Sequence, residues 1–395
     1  MSVLIGILGL VILFGLCYLM SNDKKNINFK AIGIMLAMQV LITLGMFKTT
    51  VGMKIVEAVS NGFSTVMGFA SDGVAFVVGD LGSYGTGGVF FINVLLVIVF
   101  TSTLLAILTH LRVLPLAIKY IGGALSKITG LPKVETFNAI NSIFFGQSES
   151  ILAIKQYLPK LNNNRLFVVS VTAMASVSAS IIGSYMLMLP PKYILLAMIL
   201  NALSALIITS FVTPIKKSDE DENIDVKDMV QTKSIFEAIS TGALDGGKVA
   251  LIVGAMLVAY IGLLAMVNAG FNSIFGIDLT GILGFILAPV AWLMGVPASE
   301  MVTAGSIMGT KILANEFVAM LQFQPLIDTL SVKTVGILSA FLTSFAAFGS
   351  IGIVGGTFQA INGEKASVVA KFGLKMLLVA TLVSILTATM TGLFL

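Results

Sequence analysis

Chemistry can be read from two residues of this sequence, Glu149 and Glu316. Glu149 follows Gln147 and Ser148 in the stretch GQSES at residues 146–150, and Glu316 follows Asn315 in NEFVA at residues 315–319. Both acids interrupt strongly apolar surroundings. A charged side chain at the centre of a bilayer costs about 2.5 to 3.5 kcal/mol on insertion scales, so intramembrane acids are rare and line internal pathways. Amide, hydroxyl and carboxylate groups clustered in an apolar surround suit a small neutral solute with several donors and acceptors; sugars and nucleosides qualify. The bland alternative puts each glutamate at an interface, or in a pair with Lys155 or Lys311.

The chain around them is built for lipid. Its 395 residues are 57% hydrophobic and 11% charged, with a mean hydropathy of +1.03, whereas soluble domains carry about 25% charged residues. Crossing a hydrocarbon core takes roughly 20 apolar residues as a helix. Uncharged or nearly uncharged runs of that size occur at 2–20, 31–47, 87–108, 166–189, 193–212, 249–267 and 376–395, and a discontinuous run at 334–356 makes eight. The first is too long for a signal segment and is followed by the loop SNDKK, so it is kept as a span. Residues 51–77 are amphipathic and read as an interfacial helix, and 279–296, with Pro289 and Trp292, reads as a scaffold helix. Lysines concentrate between the spans, as cytoplasmic loops require.

Other chemistries find little support. The single cysteine, Cys17, excludes an intramolecular disulfide and a cysteine-based metal site, and the single histidine, His110, reads as an interfacial residue at a helix end. The glycine-rich GSYGTGG at 82–88 lacks the Gly-Lys-Ser/Thr of a phosphate loop and reads as a turn. GQSES has Ser150 where a nucleophile elbow needs its last glycine, so no enzyme is expected. No nucleic-acid signal, cofactor motif or confident metal site is present.

A charged linker at 216–233 divides the chain, and each half contains the same odd feature. In the first, residues 115–159 are too polar and too broken by Gly122, Gly123, Gly130 and Pro132 to span as one helix, and the serine-rich MASVSASIIGSYM at 174–186 follows. In the second, residues 297–325 are followed by TSFAAFGSIGIVGG at 343–356. Short, broken segments at corresponding places in two halves point to a transporter site near the bilayer midplane. Irregular backbone survives at that depth only where protein or trapped water satisfies it. A gated pore shares such breaks, and saturable, gradient-driven accumulation separates the two classes.

GQSES, NEFVA and FGSIGIVGG at 348–356, together with EAVSNGF at 57–63 and APVAWLMGVP at 288–297, resemble the signature regions of the concentrative nucleoside transporter family over essentially the whole chain. The resemblance implies an all-α integral membrane protein with eight transmembrane helices, two re-entrant hairpins and two interrupted helices in inverted repeats. It further implies a multi-pass homotrimer of the bacterial inner membrane that carries nucleosides such as uridine by symport with a cation. The expected divisions are 1–111 (scaffold helices and interfacial helix), 112–214 (first repeat), 215–240 (hydrophilic loop), 241–296 (scaffold and interfacial helix) and 297–395 (second repeat). Gln147, Ser148 and Glu149 would meet the nucleobase side, with Ile181 packing there. Glu316 and Ser350 would hold the ribose hydroxyls, and Phe345 would line the pocket.

Two positions depart from the family pattern. Ala347 stands where members often carry an asparagine that grips the ribose, which leaves a related solute such as a free nucleobase as an alternative substrate. Ser142 stands where the sodium-coupled branch has an asparagine. Ser142, Phe145, Ser176 and Val177 are the coupling-ion candidates, but the lost amide carbonyl makes the pattern resemble the proton-coupled branch. Glu149 or Glu316 would then carry the proton, because burial favours the neutral form of a carboxyl.

Overall fold

The computed structural model describes residues 2–83, 89–215, 229–230 and 232–395. Most of the turn expected at 82–88 and of the linker expected at 216–233 lies outside the described residues. In chain order the helices begin with α1 (Ser2–Leu19), α2 (Phe29–Lys48) and the amphipathic α3 (Thr50–Val78), and a π-helical turn at Phe91–Leu95 leads into α4 (Val97–His110) and α5 (Val113–Thr129). A first hairpin, α6 (Lys133–Phe144) and α7 (Gln147–Ala153), precedes a broken helix, α8 (Asn163–Met174) and α9 (Ala179–Met186), and then α10 (Pro191–Val212). After α11 (Ile235–Phe275) and α12 (Leu279–Leu293) the pattern recurs: hairpin α13 (Met301–Leu313) and α14 (Glu316–Phe323), broken helix α15 (Val332–Leu342) and α16 (Phe348–Ile361), then α17 (Gly363–Lys371) and α18 (Gly373–Leu393).

The recurrence is registered to the residue. Gln147 and Glu316, which start α7 and α14, lie 169 positions apart, as do Asn163 and Val332 at the starts of α8 and α15, and Ala179 and Phe348 at the starts of α9 and α16. Ser142 and Lys311 stand in the same relation, each two residues before the end of its hairpin's first helix.

Six helical stretches among the described residues are long and apolar enough to cross a membrane: α2, the 91–110 stretch, the α8–α9 pair, α10, α11 and α18. Helix α1 and the broken α15–α16 pair make up the other two crossings that the sequence predicts. Burial sorts the long helices into core and periphery. The most apolar windows of α8–α9 and α10 are each 89% buried and that of α18 is 78% buried, against 28% for α2, 22% for 91–110 and 11% for α11. The first hairpin's α6 and the broken-helix segments α8, α9 and α15 pack on α10, and α8, α15 and α16 on α18; the second hairpin leans on α12, and α2, α4 and α11 stand outside with faces that the chain itself does not cover.

Two expectations about boundaries change. The broken segment expected at 115–159 resolves into α5 and the separate hairpin α6–α7, divided at Gly130, whose φ of 74° is left-handed and favours glycine. The loop expected to run to 240 ends earlier, because α11 begins at Ile235 and its 41 residues reach about 60 Å at 1.5 Å per residue. Its start is a capping box: the Ser234 hydroxyl accepts from the Glu237 N–H at 3.1 Å, and the Glu237 carboxylate accepts from the Lys233 N–H at 2.6 Å. Gly242 and Gly246 of α11 then let it cross α4 closely, since a Cβ on Gly246 would lie 2.7 Å from the Ile98 carbonyl oxygen.

One buried ion pair ties the first hairpin to the first broken helix. The Arg165 guanidinium of α8 donates through Nε to Glu135 Oε1 at 2.5 Å and through Nη2 to Glu135 Oε2 at 3.0 Å, the fork geometry that suits a carboxylate. Glu135 is 1% exposed and Arg165 5% exposed, so removing one partner leaves a buried charge behind. Glu135→Ala is expected to destabilise the protein by about 3 to 5 kcal/mol, read as a clearly lowered melting temperature in detergent; an unchanged melting temperature would show that the pair does not hold the hairpin.

Candidate functional site

The two hairpin tips present their carboxylates in matching local settings. Helix α7 starts at Gln147 and places Glu149 in its first turn, where unpaired N–H groups and the positive helix end favour a negative charge. Gly146 precedes it, and a Cβ there would sit 2.6 Å from Glu149 Oε2, so the carboxylate folds back over a space that only glycine leaves. Helix α14 starts at Glu316 itself. Its cap is Asn315, whose Oδ1 accepts from the Val318 N–H at 2.9 Å.

The breaks in the two long helices meet these tips. At the break between α8 and α9, the Ser176 carbonyl accepts from the Phe345 N–H, which belongs to the break between α15 and α16, at 2.9 Å. The Ser350 hydroxyl donates to the Phe345 carbonyl, which fixes the turn that opens α16. Crossing contacts then join each hairpin to the other repeat's broken helix. The Tyr185 hydroxyl of α9 donates to Glu316 Oε1 at 2.8 Å, and its ring stands edge-on to Phe317 with centroids 5.0 Å apart. The Thr357 hydroxyl of α16 donates to the Ser148 hydroxyl of α7 at 2.9 Å.

These elements enclose a cavity of about 190 Å³. All seven solute-binding candidates from the sequence, Gln147, Ser148, Glu149, Ile181, Glu316, Phe345 and Ser350, line it. One side of the wall is an apolar face of α11, formed by Val249, Ile252, Val253 and Met256. The two acids differ in access: Glu149 is exposed, whereas Glu316 is only 6% exposed.

Of the coupling-ion candidates, Glu149 and Glu316 line the cavity and the other four lie elsewhere. Ser142, Phe145, Ser176 and Val177 are absent from the cavity wall. The Ser142 hydroxyl donates to the Ala139 carbonyl at 2.9 Å and the Ser176 hydroxyl to the Ala173 carbonyl at 2.7 Å, so both are turned onto their own helices. The Phe145 N–H donates to the Asn141 carbonyl at 3.0 Å, and Val177 is 1% exposed.

One residue that bears on the site escapes sequence reasoning. Tyr185 carried one available signal, its place four residues after Ile181 on the same helical face. Ala347, which the resemblance sets at the ribose side, lines the cavity together with Asn315, and so do Ser178 and Ser180, which the sequence leaves open between helix packing and solute contact and whose hydroxyls are hydrogen-bonded to each other at 2.7 Å. Lys311, weighed only as a possible partner for Glu316, instead donates to the Phe341 carbonyl and to serine hydroxyls.

Membrane-spanning helices, paired hairpins and two broken helices that converge on one cavity holding two carboxylates are the architecture of a secondary transporter. Residues 193–392 match the model of the Na+ dependent nucleoside transporter C-terminus, residues 8–81 that of the N-terminus, and residues 91–192 a nucleoside recognition model. The purine nucleoside transport protein NupG of Bacillus subtilis is 35% identical over the whole of both chains, and the nucleoside permease NupC of Helicobacter pylori is 33% identical over 100% of this chain and 98% of its own. The solved structure of CNTnw in an inward-facing substrate-bound state superposes with a TM-score of 0.94 at 32% identity, covering 100% of this chain and 98% of the other. The chain belongs to the concentrative nucleoside transporter family. It is a transporter and not an enzyme, and it is a multi-pass protein of the bacterial inner membrane.

Tyr185 supplies the direct test of the cavity. Tyr185→Phe keeps the ring against Phe317 and removes one hydrogen bond to a carboxylate, worth about 1.5 to 3 kcal/mol. Nucleoside binding to the purified variant, measured by calorimetry, is expected to weaken by roughly tenfold to a hundredfold; unchanged affinity would place Glu316 outside the site.

Proposed function

We propose that this protein is a secondary active symporter that moves nucleosides such as uridine into the cell by alternating access, with a proton as the coupling ion. The observation that carries the reading is the meeting of two carboxylate-bearing hairpin tips and two helix breaks on one small cavity. Gln147, Ser148 and Glu149 meet the nucleobase, directly or through water, with Ile181 packed beside them. Glu316 and Ser350 take the ribose hydroxyls, and Phe345 lines the pocket. A hydroxyl donating to a carboxylate makes a charge-assisted hydrogen bond, stronger than a neutral one, and Tyr185 holds Glu316 in place for it.

Glu149 carries the proton in this reading. Its carboxylate lines the cavity and folds back toward Gly146, whereas one oxygen of the buried Glu316 is already taken by Tyr185. Ser142, turned onto its own helix, offers no carbonyl to sodium, which supports the same choice. One observation favours a sodium-coupled alternative. Asn141 Oδ1, one residue before Ser142, is buried and has no hydrogen-bond partner among the described residues, and it would supply a side-chain oxygen to such an ion.

The motion follows from the wall that α11 contributes. The two repeats, 112–214 and 297–395, form a core that moves against a scaffold drawn from 1–111 and 241–296, and solute leaves or enters where the core slides past α11. The protomer works in a homotrimer, a reading to which the open faces of α11 lend support. Ala347 opens α16 with no side chain to cap it. A free nucleobase remains the alternative substrate on this account, since the ribose is gripped by one fewer group.

The glutamate pair tests the assignment. In proteoliposomes with an inward proton gradient, Glu149→Gln is expected to bind nucleoside but to lose gradient-driven accumulation, whereas Glu316→Gln loses binding itself. Accumulation by Glu149→Gln at the native level would remove Glu149 as the proton carrier. Ala347→Asn adds a helix cap worth about 1 kcal/mol and an amide at the ribose side. Its expected signature is tighter binding of uridine with little change for uracil, and an equal change for both would place position 347 away from the ribose.

A further inference from the structure

Lys311 of α13 is 0% exposed, the only lysine so placed among the described residues. An ionisable side chain at membrane depth is expensive, and its partners explain why it is kept. The ammonium donates to the Phe341 carbonyl at 2.5 Å, the Ser344 hydroxyl at 2.6 Å and the Ser384 hydroxyl at 3.3 Å. It also lies 4.3 Å from the centroid of the Phe341 ring, a favourable place for a cation. All three donors of an ammonium are therefore used, and every acceptor is a neutral oxygen.

The break in the second long helix creates this oxygen shell. Phe341 lies in the last turn of α15, the negative end of a half-helix, where carbonyls lack partners. An unbroken helix would satisfy the Phe341 carbonyl with the Phe345 N–H, but that N–H turns away to the Ser176 carbonyl of the first repeat. A half-helix carbonyl end combined with hydroxyls is the setting in which discontinuous transporter helices hold small monovalent cations. The 169-residue register adds that Lys311 occupies, in the second repeat, the position that Ser142 occupies in the first.

We infer that Lys311 is a tethered internal cation: its ammonium fills the cation position of the second repeat, and that charge holds the end of α15 and the adjoining Glu316 in the arrangement that binds solute. Lys311 is a positioning residue, since the solute cavity does not include it. The oxygen shell and the register stand without the proposed function; the meaning of position 142 as a coupling-ion position rests on the sodium-coupled alternative within it. Glu316 starts α14 five residues after Lys311, so the opposite charges share one hairpin tip, which links the charge at 311 to the carboxylate in the cavity.

The test removes the tether and returns the cation. Purified full-length Lys311→Ala has room for a small cation, whereas Lys311→Met fills the volume without charge. Thermal unfolding in detergent, without nucleoside, is compared in ammonium, methylammonium, potassium, sodium and choline chlorides. The expected result is a lowered melting temperature for Lys311→Ala that one or more of the small cations, but not choline, raises, with no such selectivity in the native protein or in Lys311→Met. Nucleoside binding should be about tenfold or more weaker in both variants and should recover in Lys311→Ala alone with the same cation. No cation-selective recovery of Lys311→Ala, or native nucleoside affinity in Lys311→Met, would overturn the inference. The unfolding arm involves no nucleoside, so its failure is distinct from failure of the transport reading.

Discussion

The hydrogen bond from the Phe345 N–H to the Ser176 carbonyl is the contact around which the functional half of this protein is arranged. A helix that breaks inside a membrane exposes N–H and carbonyl groups that lipid cannot satisfy, so the break persists only if protein supplies the partners. Here two breaks satisfy each other. Ser176 and Phe345 hold equivalent places in the two repeats, as the register of the helices on either side requires. Once the breaks are joined, the half-helices α9 and α16 start from a common point, and each comes within reach of the opposite hairpin. Tyr185 to Glu316 and Thr357 to Ser148 are the two resulting ties.

Near-symmetry in the backbone carries asymmetry in charge. Both hairpins set a carboxylate at the start of a short helix, where the free N–H groups favour it. Glu149 is exposed, whereas Glu316 is buried, hydrogen-bonded to a tyrosine and preceded by a buried lysine on its own hairpin. The register places that lysine opposite Ser142, a small neutral residue. At this paired position one repeat carries a positive charge and the other does not.

Much of this architecture was legible in the sequence because its signals are local. Apolar runs mark the crossings, Gly146 and Pro132 mark the hairpin, and the small residues at 343–356 mark the second break. The cavity residues followed from motif resemblance and converge in space. What stayed hidden depends on pairings across long stretches of chain. Tyr185 and Glu316 are 131 residues apart, and Lys311 and Phe341 are 30 apart, so neither contact has a periodicity to betray it. The early start of α11 was legible in principle, since Ser234 and Glu237 spell a capping box, but the charged linker before it obscured the boundary. The separation of α5 from the first hairpin turned on Gly130 adopting a left-handed conformation, which its residue type permits but does not require.

The central claim is that one site, shared by the two repeats, couples solute to a cation. Uptake of labelled uridine into proteoliposomes, under an inward proton gradient at constant sodium and under an inward sodium gradient at constant pH, tests it most directly. The account predicts accumulation above the external concentration with the proton gradient and none with the sodium gradient. Accumulation with sodium alone would move the coupling to the region around Asn141 and Ser142, and uptake that only equilibrates under both gradients would contradict coupled transport altogether.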